Sequence, residues 1–457
     1  MRLTRRQALA GAVAGAVGAS GIYELVDQLV GSAPQRAEAA SAFAEQHLLD
    51  GIRVVHSNGV EVLVPPLHHE IVTARVTAAR ADLRDAQREL AHVLQGLDRD
   101  YAPSPAGLGV TVAWGLPYFR RLVPDQMRRL LPHDRRAGKP VLVDARRFPS
   151  DPPDTRLEAN DVAFLLRSDS RSHILDAEKR LRDTKLFELT SIRRGFAGGG
   201  FDGGRSLPKR MALAAQIPGS DLIPETAELF LGFTSTQRAG MGPGPIANFE
   251  TLGYVDFRGS GYFRHGTHMH LSHIREDVEA WYLNFEYDER VATAFRPNLR
   301  VRQDTQTVPQ GPKDVSTSAD VRRDFRASGR IGHSAAIQTT SRLQHDVVAA
   351  DGTVYHKGTA VPVRADFNTL DNPFAWSERT DEVGQAPAAG VHFVVFNPTA
   401  DDFHRNRLAM DGVLPGGRIR FAPRAREQGF NSVLSTTHRQ NFLVPPRRHR
   451  AFPLVEL

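Results

Sequence analysis

The sequence of 457 residues contains no cysteine. That excludes disulfides, thiolate-ligated iron, iron–sulfur clusters and cysteine nucleophiles. Lysine is scarce: Lys139, Lys179, Lys185, Lys209, Lys313 and Lys357 are the whole set. The formal charge of +6 and the pI of about 9.7 are therefore carried by arginine. No block of like charge is present. Basic residues alternate with acids, and Arg447-Arg448-His449-Arg450 is too short for a nucleic-acid footprint, so no nucleic-acid partner is expected. Long apolar runs are also missing, which excludes a multi-pass membrane protein. The zinc-protease order H-E-x-x-H does not occur. The glycines at 198–200 and 203–204 lack the G-x-x-x-x-G-K-[ST] order that cradles phosphate, and read as a crossover loop.

Among what is present, 41% apolar residues suffice for a packed interior, and the length calls for one large or two fused domains. Thr4-Arg5-Arg6-Gln7-Ala8-Leu9 opens a small-residue apolar run to Ile22. A twin arginine before a weakly apolar stretch reads as a Tat leader over residues 1–40, with Ala37-Glu38-Ala39 as the cleavage site. The expected location is extracellular or cell envelope, with no stable membrane insertion after cleavage.

Periodicity predicts a strand at Glu61–Val64, a long helix over His69–Leu97, strands at Gly107–Trp114 and Val162–Leu166, a helix from Ser170 to about Thr184, and a strand at Phe187–Ile192. This order of elements suits a ferredoxin-like α+β unit over 41–200. After a loop-rich crossover at 201–265, the pattern returns over 266–415. There, strands are expected at Thr267–Ile274, Thr359–Phe367 and Val391–Phe396, and helices from Asp277 and over Asp401–Met410. Residues 416–457 read as a tail, which from Thr436 is expected to wrap the surface. The two units would pack sheet against sheet and leave an apolar cleft between them.

Five stretches stand in an informative order. Leu229-Phe230-Leu231-Gly232-Phe233 leads into Thr234-Ser235-Thr236. Phe263–Trp281 carries a Gly-Thr strand into Asp-x-Glu-x-Trp. Arg330-Ile331-Gly332-His333 is followed by Val363-Arg364-Ala365-Asp366. Ala389–Met410 closes the set. In order and spacing these resemble the dye-decolourising (DyP-type) peroxidases. That resemblance implies two ferredoxin-like units of the dimeric α/β-barrel type, one haem b per chain, hydrogen peroxide and an organic reductant as substrates, and compatibility with a homo-oligomer. It implies His333 as the axial ligand of the haem iron, with Asp401 or Asp402 behind it, and Arg364 over the open iron face. Phe233, His273, Arg275 and Arg364 are implied as haem contacts.

One position departs from the family. Ser235 stands where the family has an aspartate that moves the peroxide proton, and a hydroxyl without a base is a poor shuttle. Asp366, two residues past Arg364 on an expected strand, would share its face and could take over that acid–base role. A rival reading is a haem-binding protein with little turnover. A second is a copper or zinc protein built on His265, His268, His270 and His273, which has lost haem. His345 and His356 are the fallback iron ligands, and Trp281, Tyr282 and Trp376 are candidate electron relays.

Overall fold

In the computed structural model, two successive units repeat one strand–helix–strand–strand–helix–strand path. The structure describes residues 21–30, 43–57, 60–199, 205–234, 248–303, 305, 315–349, 352–371 and 387–457. The first unit consists of β1 (His68–Val76), α1 (Leu83–Asp100), β2 (Gly109–Gly115), β3 (Val162–Ser168), α2 (Arg171–Asp183) and β4 (Phe187–Phe196). The second contains β5 (Thr267–Glu276), α3 (Val278–Asn284), α4 (His333–Ser341), β6 (Phe367–Thr369), β7 (Gly390–Asn397), α5 (Ala400–Ala409) and β8 (Leu434–Val444). The strands are ordered β4-β1-β3-β2 in the first unit and β6-β7-β5-β8 in the second. The two orders are equivalent, and the α+β, ferredoxin-like expectation holds.

The units do not stack face to face. Their edges join. Trp114 and Gly115 of β2 pair with Leu443 and Phe442 of β8, and Phe196 of β4 pairs with Asn368 of β6. The sheet thus closes into a ring, and each unit's edges are capped by the other. Ile71, Ala113, Leu165, Leu271, Val394 and Phe442 fill the interior as one cluster. The apolar cleft is therefore not between two sheets. It lies outside the ring, under the helices of the second unit.

Three local expectations are corrected. The stretch expected to be helical from His69 is extended as far as Val76 and becomes helical at Leu83. Both faces of β1 are buried, so the alternation that marks a half-exposed strand is absent and the apolar spacing mimics a helix. From Leu83 onward the helical reading holds, with Leu83, Ala86, Leu90, Leu94 and Leu97 on the buried face. The tail from Thr436 does not wrap the surface. It is β8, the strand that closes the ring. The expected strand at Thr359–Phe367 forms only short pairings at Val363–Arg364 and Phe367–Thr369.

Part of the segment expected to be a leader also contributes to the fold. Helix Gly21–Val30 buries Tyr23, Leu25 and Val26 against the body. The Tyr23 hydroxyl donates to Asp371 at 2.5 Å, and Asp27 meets His68 at 2.7 Å. Cleavage at 37–39 would detach a helix that the fold buries. A chain beginning at residue 41 is expected to lose roughly 1.5–3 kcal/mol for each of these buried apolar side chains. Chemical denaturation of full-length and truncated chains measures the difference.

Buried histidines set the acid limit. Burial lowers His47 and His268 to about 3 and His404 to about 4. The folded state holds them neutral while the unfolded chain protonates them near 6.5, so the unfolded state binds more protons between those values. Stability therefore rises with pH through this window and is lost in acid, by about 1.4 kcal/mol per pH unit for each such group. Thermal melts from about pH 7 down to about pH 4 should show a steepening fall.

Candidate functional site

Side chains on the outer face of the second unit line a cavity of about 240 Å³. β5 presents Ser272, Ile274 and Glu276 to it, and β7 presents Val391, Phe393 and Val395. Period-two alternation separates these from Leu271 and Val394, which point into the ring. α4 and α5 form the facing wall with His333, Ile337, Phe403 and Arg407. Phe233 and Thr234 arrive from the loop after Leu231.

Two glycines permit this approach. A Cβ on Gly332 would stand 2.3 Å from the Phe295 carbonyl oxygen, so only glycine lets α4 start there. Gly232 has φ +87, and a Cβ on it would meet the Tyr282 hydroxyl at 2.8 Å.

His333 begins α4 and faces the cavity. Burial, with the positive charges of Arg364 and Arg407 nearby, lowers it to about 3, so its imidazole is neutral near pH 7. Nδ1 is buried with no hydrogen-bond partner among the described residues, which leaves Nε2 as the nitrogen open to the cavity. A neutral imidazole with one open nitrogen is the form that binds a metal. The expected carboxylate behind it is absent. Asp401 pairs with Lys139 at 2.8 Å, and Asp402 accepts from Arg136 and Tyr254, each at 2.7 Å. Both are engaged by the Arg136 region and neither reaches Nδ1.

Arg364 and Asp366 line the same cavity as His333. Arg364 donates from Nε and Nη2 to the two Asp366 oxygens at 3.0 and 2.8 Å, a bidentate pair that fixes the guanidinium plane. The Asp366 side chain is 3% exposed and that of Arg364 is 27% exposed, so the arginine keeps an open side.

Sequence reasoning gave no site role to Glu276, Arg342, Arg407 or Arg439, which also line the cavity. Burial, with the Asp366 charge adding to it, raises Glu276 to about 8. Its Oε2 is buried without a hydrogen-bond partner. Arg407 and Arg439 converge on Asp151 at 3.2 and 2.7 Å. Arg342 donates to the Gly358 carbonyl at 2.9 Å, while its Nη2 is buried without a partner. Period-two spacing from Ser272 could have flagged Glu276. The arginines gave no local signal, because they come from separate elements.

His273 and Arg275 alternate with Ser272 and Glu276 and are not among the cavity residues. His273 lies 4.9 Å from His392, ring to ring, and its Nδ1 meets the Thr437 hydroxyl at 2.6 Å. Arg275 is exposed. Neither is placed to contact a ligand in the cavity. The four clustered histidines do not converge either. His265 is half exposed beside Glu45, His270 stacks on Phe403, and His273 takes the opposite face of β5. No group of three or more metal-ligating side chains is found among the described residues, so the copper or zinc reading has no site there. His345 and His356 are exposed and outside the cavity. Trp281 is fully buried and donates its indole N–H to the Leu231 carbonyl at 2.9 Å. The hydroxyl of Tyr282 bonds the Phe230 carbonyl at 2.9 Å. Ser235 and Trp376 lie outside the described residues.

Comparison with solved structures agrees with the fold. The DyP-type peroxidase from Cellulomonas bogoriensis is 17% identical over 89% of this chain and 96% of its own, with a TM-score of 0.51. DyPB from Rhodococcus jostii RHA1 is 12% identical over 85% and 96%, with a TM-score of 0.49. The encapsulated DyP-type peroxidase from Mycobacterium smegmatis is 13% identical over 85% and 95%, with a TM-score of 0.47. No curated protein matches the sequence. One family model matches residues 66–446, and the chain thus belongs to that family, described as a family of unknown function (DUF7405).

Proposed function

We propose that the chain is a divergent relative of the DyP-type peroxidases. It would bind one haem b between His333 and the Arg364–Asp366 pair and use hydrogen peroxide to oxidise an organic donor. The observation that carries this reading is the placement of a neutral, open imidazole and a carboxylate-locked arginine on the walls of one apolar cavity. The donor set fits a haem. Nε2 of His333 would hold the iron, Phe233, Phe393 and Phe430 would supply apolar walls, and Arg342, Arg407 and Arg439 would offer cations to the haem carboxylates. His273 and Arg275 have no part in this set. Bound haem would supply a redox-active iron that accepts oxidising equivalents from peroxide.

The chain's own residues perform the rest. Asp366 fixes the direction of the Arg364 guanidinium, so it is organised in advance for the negative charge that grows on a cleaving peroxide. The apolar walls exclude water and strengthen that interaction. Asp366 is the carboxylate available beside it.

The twin-arginine start also supports export, to the cell envelope or beyond, with helix Gly21–Val30 kept as part of the folded body. A haem-binding protein with little turnover is the second reading, favoured by Ser235 at the position where the family has an acid.

Reconstitution tests both readings. The full chain mixed with haem should give a Soret band with one haem per chain, and peroxide should shift it. A band that peroxide leaves unchanged favours the second reading, and no band overturns both. His333→Ala is expected to lose the axial imidazole signature by absorbance or electron paramagnetic resonance. Arg364→Leu should retain haem and slow the peroxide reaction by ~100-fold or more.

A further inference from the structure

Glu276 ends β5 on the same wall as Arg364 and Asp366. Its Oε2 is buried and unpartnered, while both oxygens of Asp366 are held by the Arg364 guanidinium. The titratable groups that face Glu276 are Asp366 from the strand segment before β6 and Tyr282 from α3. Arg290 lies beyond Tyr282, its guanidinium 4.9 Å from the phenol ring. No cation pairs with Glu276 among the described residues.

The two carboxyls therefore have opposite environments. Asp366 has a bidentate cation and is the anion of the pair. Glu276 has an apolar setting and an anionic neighbour, and burial raises it to about 8 so that it keeps its proton near neutral pH. Two neighbouring carboxyls, one locked to a cation and one unpaired, suit the roles of base and acid.

We infer that Glu276 is the proton donor of this cavity and Asp366 the matching proton acceptor, acting together on hydrogen peroxide. The inference rests on the peroxide reading above. Asp366 takes the proton from one oxygen of HO–OH, and Glu276 gives its proton to the other. Both protons then sit on one oxygen. The peroxide's charge and electron count are unchanged, Asp366 becomes neutral and Glu276 anionic. The O–O bond is then polarised toward release of water, and the proton on Asp366 returns to Glu276. The shuttle that Ser235 cannot provide would thus come from the end of β5.

Glu276→Gln keeps the shape and neutrality of the side chain but has no acidic proton. In the haem-free chain, infrared spectra from about pH 5 to about pH 10 should show a carboxyl C=O band that persists above pH 7, titrates near 8 and is missing in E276Q. Its absence from the wild type, or its survival in E276Q, overturns the inference whether or not haem binds. In the haem-loaded chain, E276Q should react with peroxide at least ~100-fold more slowly, and the fall in wild-type rate above about pH 8 should disappear. A wild type that takes up no haem sinks the peroxidase reading, and with it the peroxide role of the pair. An E276Q protein that takes up haem and reacts at the wild-type rate sinks the inference alone.

Discussion

Closure of the sheet is the constraint on which the rest of the structure depends. β2 joins β8 and β4 joins β6, so neither ferredoxin-like unit has a free edge at these seams. A closed ring gives every strand an inside and an outside. The inside is filled by the sheet's own apolar side chains, with histidines such as His273 and His392 among them. The outside must be covered by helices. Over the first unit, α1 and α2 cover it fully. Over the second, α5 packs on one part of β5 and β7, where His270 stacks on Phe403, and a cavity remains beside it under α4.

That placement dictates the chemistry of the cavity. Apolar walls penalise charge, so His333 stays neutral and Glu276 stays protonated. The charges that do remain are locked in pairs, Arg364 with Asp366 and Arg439 with Asp151. The result is a wall bearing a neutral base that can ligate a metal, a fixed cation, an anion and a neutral acid. The protonated state of Glu276 is not intrinsic to its residue type. It follows from what the fold packs around it.

Much of the fold was legible from sequence. Most later strands and helices of the first unit, the start of α3 at Asp277 and the glycine before His333 were readable, because turn residues and periodicity are local signals. β1 misled because a strand buried on both faces loses its alternation. β8 was missed because a closing strand late in the chain looks like any apolar tail. His333, Arg364 and Phe233 were marked by a resemblance in motif order and Asp366 by its period-two spacing from Arg364, and all four line the cavity. His273 and Arg275 were marked by the same route and fell on the wrong side, since one residue along a strand reverses the face.

The sequence by itself determined the chemistry that is excluded, the two repeated units and the residue types at the motif positions. Composition and local periodicity encode those directly. Only the tertiary structure decided that the units join edge to edge, that helix Gly21–Val30 is buried, and that Glu276 lies beside Asp366. These depend on contacts between residues far apart in the chain, and no local pattern records which distant strand will become a neighbour.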